Sequence, residues 1–199
     1  MLTYAFAVFF LVITPGPGVL SAAGVGSAFG FRQALRYVTG LFIGSNLVAA
    51  AVISGLAAVI LATPAIRTVL MVASLAYLVY LAAKIAFAGA KIAFIENKRG
   101  PGIGAGLLLQ AINPKVYAVN TALYSGFSFA PDNYTFEVAM KLLIMNAIWI
   151  PLHLGWAYAG ASLHKLNLSE IAQRRINYAM AGAMLTVVIL ALFATFNTA

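Results

Sequence analysis

Residues Thr14-Pro15-Gly16-Pro17-Gly18 interrupt a hydrophobic, almost charge-free stretch with a sequence that a continuous helix does not tolerate. A second interruption, Asn113-Pro114-Lys115, lies in another hydrophobic stretch in the second half of the chain. Because proline lacks the backbone N–H and collides with the carbonyl four residues earlier, both segments are predicted to break a helix. Irregular backbone inside a membrane is either buried in protein or lines a polar cavity. Breaks at matching positions of two halves are typical of the substrate site of a transporter.

The composition of the chain indicates a membrane protein. Its 199 residues are 63% hydrophobic and only 8% charged, with a mean hydropathy of +0.98, so polar residues are too few to cover a soluble globule. The net charge of +8 comes from Lys and Arg scattered between apolar runs, which disfavours a nucleic-acid partner. Without cysteine, the chain has no disulfide, thiol chemistry or Cys-ligated metal. No cofactor and no metal are predicted.

Six membrane spans are predicted, given about 20 apolar residues for each crossing. The predicted fold class is therefore an all-α integral membrane protein, a single transmembrane domain over 1–199 with halves of about 1–95 and 100–199. The first span is expected to be retained, because no basic segment precedes it as in a signal peptide. The spans are expected at 2–24, 38–62, 66–88, 103–127, 138–161 and 176–197. Charged or turn-forming segments separate them at 32–36, 63–64, 96–102, 130–133 and 162–175.

The distribution of Lys and Arg predicts the orientation, since these residues are retained on the cytoplasmic side. Connections one, three and five carry nine of the twelve cations, whereas connections two and four carry Arg67 and Lys141. Both termini are therefore predicted outside. Three spans in each half then give a 3+3 inverted repeat with broken helices 1 and 4. At ~1.5 Å per residue, Pro15 and Asn113 lie about 20 and 16 Å along their spans, near the midplane.

The two breaks are the predicted substrate site. At an unwound span, freed carbonyls can bind a cation and free N–H groups can bind an anion. A zwitterionic amino acid carries one cationic group and one anionic group. The prolines are predicted to free the carbonyls of Leu11, Ile13 and Gln110; a simple kink is the alternative interpretation. The site comprises Pro15, Gly16, Pro17, Gly18, Asn113, Pro114 and Lys115.

Lys115 is a full positive charge beside the second break, where it either contacts an anion or extends to the membrane interface. The four carboxylates of the chain all fall in connections or at span ends, so none is predicted to pair with a buried cationic side chain. The predicted substrate is thus a neutral amino acid or small zwitterion. Its carboxylate would meet Lys115, and its ammonium would meet freed carbonyls and Asn113.

Three more polar residues lie deep in spans. Imidazole groups titrate near physiological pH, which makes His153 a candidate for proton coupling; a hydrogen bond between helices is the alternative. Asn46 and Asn146 either line the transport pathway or join helices. Gly26 with Gly30, and Gly40 with Gly44, are small residues four apart, which suit close helix packing inside the protein or at a dimer interface.

Several motifs together carry a family resemblance. They are Pro15-Gly16-Pro17, Gly30-Phe31-Arg32 with Gly40 and Gly44, Tyr77-Leu78-Val79-Tyr80-Leu81, and Asn113-Pro114-Lys115. With the length and the six spans, they resemble the lysine and homoserine exporter (LysE/RhtB) family of amino-acid efflux carriers. The resemblance implies antiport that exports amino acids or close derivatives from a bacterial cytoplasm, driven by the proton gradient. The chain departs from the family at Gly18, where Asn or Asp is usual, and in lacking a carboxylate in its fifth span.

The function predicted from the sequence is export of a small neutral amino acid or related metabolite across the bacterial inner membrane, by alternating access. The expected partners are that small molecule, membrane lipid and a second copy of the chain. An intramembrane enzyme is disfavoured, because paired intramembrane aspartates and a nucleophilic serine motif are missing. A metal-ion or other small-solute exporter, and an accessory subunit that transports nothing, are the alternatives.

Overall fold

The computed structural model describes residues 1–14, 16–87, 100–165 and 169–196. Every regular element in these ranges is an α-helix. The apolar runs of the sequence form the helices, and Gly, Pro, Asn or Ser stands at most of the breaks between them. The helices are α1 (Leu2–Ile13), α2 (Pro17–Phe29), α3 (Phe31–Ile53), α4 (Leu56–Ala62), α5 (Pro64–Ala86), α6 (Ile103–Ile112), α7 (Pro114–Gly126), α8 (Tyr134–Lys165) and α9 (Glu170–Phe196).

The lengths of the helices fit a protein that crosses a membrane several times. Within the described ranges, α3, α5 and α8 are each long and apolar enough to cross. The α1 and α2 helices, bent by 52° at their break, are together long and apolar enough for either a broken span or a re-entrant loop. Large apolar side chains cover much of the outer surface, as expected for contact with lipid tails. Examples are Phe6, Phe10, Leu47, Val69 and Leu143, each more than half exposed.

Both predicted helix breaks are present. The first helix ends at Ile13 and the chain resumes a helix at Pro17. In the second half, α6 ends at Ile112, and Asn113 separates it from α7. Proline occupies the first position of both α2 and α7, where its missing N–H has no helical partner to lose and its fixed φ favours the helix.

The predicted break at 32–36 is wrong, because these residues form the first turns of α3. The chain turns instead at Gly30, whose φ of 78° lies in a region that other residues rarely adopt. The Gly30 N–H donates to the Gly26 carbonyl, and the Ala34 N–H donates to the Gly30 carbonyl. A single glycine thus joins α2 to α3 without a loop.

Other boundaries also differ from the prediction. The second span, expected to run to residue 62, breaks at Ser54 and Gly55, where Gly55 has a φ of 77°. The α8 helix is longer than its predicted span and contains Pro151 without ending there. The charged part of the third connection, 88–99, and residues 166–168 lie outside the described ranges.

Glycines bring α2 against α8 at backbone distance. A Cβ on Gly26 would collide with the Ala157 carbonyl oxygen, and one on Gly160 would collide with the Ala23 carbonyl oxygen. Such contacts between small residues are the usual means by which helices associate in lipid, where no hydrophobic effect drives them together. The two helices therefore pack as a closely fitted pair.

The α3 and α6 helices make an equivalent contact. A Cβ on Gly40 would collide with the Ile103 carbonyl oxygen, and one on Gly106 with the Tyr37 carbonyl oxygen. Gly44 continues this contact against the side chain of Gln110. The predicted packing role of Gly26, Gly40 and Gly44 is confirmed, and the contacts are internal to the chain.

A buried ion pair joins the start of α8 to the end of α7. Lys141 Nζ lies 2.8 Å from Glu137 Oε1 and donates to the Tyr124 carbonyl at 3.0 Å. The other carboxylate oxygen of Glu137 accepts from the N–H groups of Phe129 and Ala130, at 2.9 and 2.7 Å. Lys141 was assigned to the fourth connection from the sequence, but it is 2% exposed within α8. Its charge satisfies internal groups and does not mark a loop. The prediction that no carboxylate pairs with a buried cationic side chain is therefore wrong for Glu137.

Candidate functional site

The two helix breaks meet in space. Lys115 Nζ donates to the Thr14 carbonyl at 2.9 Å, although the residues are 101 positions apart. Thr14 follows the last residue of α1, where the helix dipole places partial negative charge. A Cβ on Gly16 would lie 2.9 Å from Lys115 Nζ, so glycine at this position leaves room for the lysine side chain. Lys115 therefore bridges the two breaks.

Asn113 caps the helix that carries Lys115. Its Oδ1 accepts from the Lys115 backbone N–H at 3.1 Å, which satisfies one of the orphan N–H groups at the start of α7. Its Nδ2 donates to Gln110 Oε1 at 3.4 Å. The Gln110 carbonyl accepts from the Asn113 N–H at 3.3 Å, so the prediction that Pro114 frees this carbonyl is wrong. The break is satisfied internally.

A pocket of about 60 Å³, lined by apolar side chains and several polar groups, lies between the breaks. That volume holds a few water molecules, so this conformation is narrow for an organic substrate. Pro15 lies outside the described residues, and Pro114, Asn46 and Asn146 do not line the pocket. The predicted residues that do line it are Gly16, Pro17, Gly18, Asn113, Lys115 and His153.

The pocket also has polar walls that sequence reasoning did not assign. Ser45 of α3, Gln110 of α6 and Asn120 of α7 line it, and each is at most 3% exposed. The usable signal was their position as uncharged polar residues within otherwise apolar stretches, since polar groups in spans tend to face a protein interior or a cavity. The wall opposite α7 includes Trp149 and Met145 of α8.

His153 is held by its neighbour one turn earlier on α8. Its Nδ1 lies 3.0 Å from the Trp149 carbonyl, and its ring stacks on the Trp149 ring at a centroid distance of 3.6 Å. Because a carbonyl only accepts hydrogen bonds, Nδ1 is the protonated nitrogen in the neutral ring and Nε2 carries the lone pair. Nε2 lies 3.4 Å from the position that a Cβ on Gly18 would take. The free side of the imidazole thus faces the first break.

Asn46 and Asn146 join helices. Asn46 Nδ2 donates to Asn146 Oδ1 at 3.1 Å, and Asn146 Nδ2 donates to Asn46 Oδ1 at 2.9 Å. The reciprocal pair links α3 to α8 away from the pocket. Of the two roles considered from the sequence, the structure shows the helix-joining one.

No group of three or more His, Cys, Asp or Glu side chains that would hold a metal ion occurs among the described residues. The donors of the pocket are amide, hydroxyl, imidazole and ammonium groups. A half-buried lysine amine in the pocket wall disfavours a cation at that point. The site is instead suited to an organic molecule that carries an anionic group.

Several helices long and apolar enough to cross a membrane, and a pocket with polar groups where two broken helices meet, indicate a membrane transport protein. Residues 9–195 match the sequence profile described as LysE type translocator. The chain belongs to the LysE type translocator family, as the motifs had suggested. The members of this family are transporters, so the chain is not an enzyme.

Named relatives agree with this family. The chain is 30% identical to the cysteine/O-acetylserine efflux proteins of Salmonella choleraesuis (strain SC-B67) and Salmonella typhimurium (strain LT2), over 80% of this chain and 83% of each relative. It is 31% identical to the leucine efflux protein of Enterobacter sp. (strain 638), over 42% of this chain and 39% of that relative. No solved structure matches the chain.

Proposed function

We propose that the protein exports a small neutral amino acid, or a related zwitterionic metabolite, across the bacterial inner membrane. The proposal rests on the contact between Lys115 Nζ and the Thr14 carbonyl, because this contact joins both helix breaks at one pocket. The family and the efflux activities in the names of its relatives support the substrate class.

The charges around the pocket favour a neutral amino acid over a cationic one. Lys115 is the one charged side chain among the described residues that line the pocket. Its ammonium has three N–H donors, of which one contacts Thr14, so two remain for a substrate carboxylate. No carboxylate of the described pocket is available for a lysine or arginine side chain, and an unpaired buried cation is strongly disfavoured. A neutral side chain avoids this penalty.

We propose a 3+3 inverted repeat. In it, the broken pair α1–α2 corresponds to the broken pair α6–α7, α3 with α4 corresponds to α8, and α5 corresponds to α9. Asn46 and Asn146 are 100 residues apart and bond reciprocally, as residues on a two-fold axis do. Thr14 and Asn113, each at the C-terminus of a broken helix, differ by a similar interval. With both termini outside, the second half has the opposite orientation in the membrane.

Alternating access around the pocket is the proposed mechanism. Gly16, Gly18 and Gly126 can absorb changes in the backbone, and Gly126 has open space around it. Net export would be coupled to protons, with His153 Nε2 as the proton acceptor beside the first break. Lipid covers the apolar exterior, and a homodimer is the proposed assembly.

Counterflow in proteoliposomes tests the substrate class. Vesicles that contain the purified protein are loaded with leucine, cysteine, O-acetylserine or lysine, and uptake of the matching radiolabelled compound is measured. We expect exchange of at least one neutral compound and a loss of at least tenfold in Lys115→Met, with Arg67→Met as the control because Arg67 is exposed and outside the pocket. Exchange of lysine in place of the neutral compounds would contradict the proposed substrate class.

If folded protein exchanges none of the four compounds, the proposal that it exports amino acids is wrong. A small solute of another class, or a role as an accessory subunit, would then replace it. Unfolded protein is distinguished from inactive protein by its elution from size-exclusion chromatography in detergent.

A further inference from the structure

Asn120 holds a buried oxygen without a hydrogen-bond partner. The residue lies on α7, lines the pocket and is 1% exposed. Its Nδ2 donates to the Val116 carbonyl at 2.8 Å, which fixes the orientation of the amide because a flipped amide would place two oxygens together. No donor in the described part of the chain reaches its Oδ1.

An unpaired buried acceptor is unfavourable unless another molecule supplies the donor. The other amides of the pocket are already used. Asn113 Oδ1 accepts from the Lys115 N–H, and Gln110 Oε1 accepts from Asn113 Nδ2. Asn113, the acceptor predicted from the sequence for the substrate ammonium, is therefore engaged in capping α7. Asn120 Oδ1 has no such structural partner.

We infer that Asn120 Oδ1 accepts a hydrogen bond from the ammonium group of the transported amino acid, an inference that rests on the proposed function. Lys115 and Asn120 are on the same helix, about 7.5 Å apart along its axis. A zwitterion lying along α7 places its carboxylate at Lys115 Nζ and its ammonium at Asn120. One helix thereby contacts both the carboxylate and the ammonium of the amino acid through different side chains.

The narrowness of the pocket explains why Asn120 Oδ1 is covered in this conformation. An amino acid exceeds the space of about 60 Å³, so its entry requires the pocket to widen. Widening uncovers the oxygen when the ammonium arrives to pair with it. Because Asn120 binds the α-ammonium that every amino acid carries, this contact does not depend on the side chain of the substrate.

The test compares each amino acid with its analogue that lacks the amine. The pairs are leucine with 4-methylpentanoate, cysteine with 3-mercaptopropanoate, and O-acetylserine with 3-acetoxypropanoate. In counterflow, the half-saturating concentration of the amino acid is compared with the analogue concentration that halves its exchange. The analogue concentration divided by the amino-acid concentration gives a ratio, and a larger ratio means that the protein recognises the amine more strongly.

We expect Asn120→Leu, which keeps the branched shape of the side chain but removes the acceptor, to reduce this ratio at least tenfold, because a hydrogen bond to a charged group is lost. Asn120→Ala repeats the test if the leucine variant does not fold. Asn177→Leu is the control: it removes a buried amide of α9 that contacts Gln173 outside the pocket, and it should leave the ratio unchanged.

A ratio that Asn120→Leu leaves unchanged would overturn the inference, even if affinity for both compounds falls together, because only a structural role would then remain. The proposed function would stand in that case. Absence of exchange by the wild-type protein for all three amino acids would overturn the proposed function, and this inference with it.

Discussion

Gly16 shows how a single missing side chain decides the geometry of the site. Its backbone is extended, with a φ of −162°, so other residues could adopt this conformation without strain. The constraint comes from space, since Lys115 Nζ and Cδ would lie 2.9 and 3.1 Å from a Cβ at this position. The lysine amine reaches Thr14 only because the first break offers a surface without a side chain.

Gly16→Ala is expected to displace the end of the Lys115 side chain and weaken its contact with Thr14. Since the lysine end is flexible, the fold should survive while the half-saturating substrate concentration in counterflow rises several-fold. Gly104→Ala is the matched control, because a Cβ at that position meets nothing within 4 Å. Equal kinetics in the two variants would show that the position of the Lys115 amine does not affect substrate binding.

His153 gives a second prediction at the same scale. If Nε2 accepts the coupling proton, His153→Gln should retain substrate exchange but lose net uptake driven by a pH gradient, since glutamine does not titrate. The chain has one other histidine, so His164→Gln is the control and should keep gradient-driven uptake. Both rates are measured in the same vesicles with and without an imposed gradient. A pH-driven uptake that persists in His153→Gln would assign coupling to another group.

At the scale of elements, the positions of the helix breaks could be predicted from the sequence but the turns between helices could not. Pro17 and Pro114 each remove a helical N–H and stand next to Gly or Asn, and this combination marks a break locally, whereas Pro151 alone lies inside α8 without ending it. Gly30 is different, because one glycine can also lie inside a helix. Its positive φ cannot be read from the residue type alone, and the charges at Arg32 and Arg36 suggested a loop where the structure has a helix.

Some pocket residues could likewise be predicted from the sequence, and others could not. Lys115 and His153 were predicted because an ionisable group in a span is rare and has few roles. Asn120 was not predicted, because its importance depends on which partners its neighbours already occupy. The engagement of Asn113 with the Lys115 N–H is a tertiary fact that no spacing reveals. Sequence reasoning thus located the two breaks but did not assign the acceptor.

Close contact between α2 and α8 predicts opposite effects for two glycines of α8. Gly160→Ala inserts a Cβ against the Ala23 carbonyl, and the resulting overpacking should destabilise the protein by ~1–3 kcal/mol. Gly155→Ala meets nothing within 4 Å, and it should be neutral or stabilise by up to ~1 kcal/mol, because alanine favours a helix more than glycine does. Thermal unfolding in detergent measures both. Similar midpoints for the two variants would contradict the backbone contact.

At the scale of the whole molecule, the moving bodies need not coincide with the two halves of the sequence. The glycine contacts join α2 to α8 and α3 to α6, and each pair combines one helix from each half. Bodies packed at backbone distance behave as rigid units because sliding would bring their carbonyls into collision. Alternating access would then move the α2–α8 pair against the α3–α6 pair, with the pocket between them.

The Asn46–Asn146 pair links these two bodies and sits where the proposed symmetry axis would pass. Neither residue lines the pocket, so we expect removal of the pair to change stability and not substrate affinity. Asn46→Leu alone leaves the Asn146 amide without a partner on α3, and the lost pairing should lower the free energy of unfolding by ~1–3 kcal/mol. Asn46→Leu with Asn146→Leu removes both amides, and it should recover at least half of that loss because no unpaired group remains.

A double-mutant cycle measured by thermal unfolding, together with counterflow on the same preparations, tests this prediction. Coupling between the two sites, with unchanged half-saturating concentrations in all three variants, is expected for a structural link between moving bodies. Additive losses would mean that each amide has its own partners. If the single variants change the substrate affinity and the double variant does not restore it, the pair would instead lie on the transport pathway. A second site beyond the pocket would then be required.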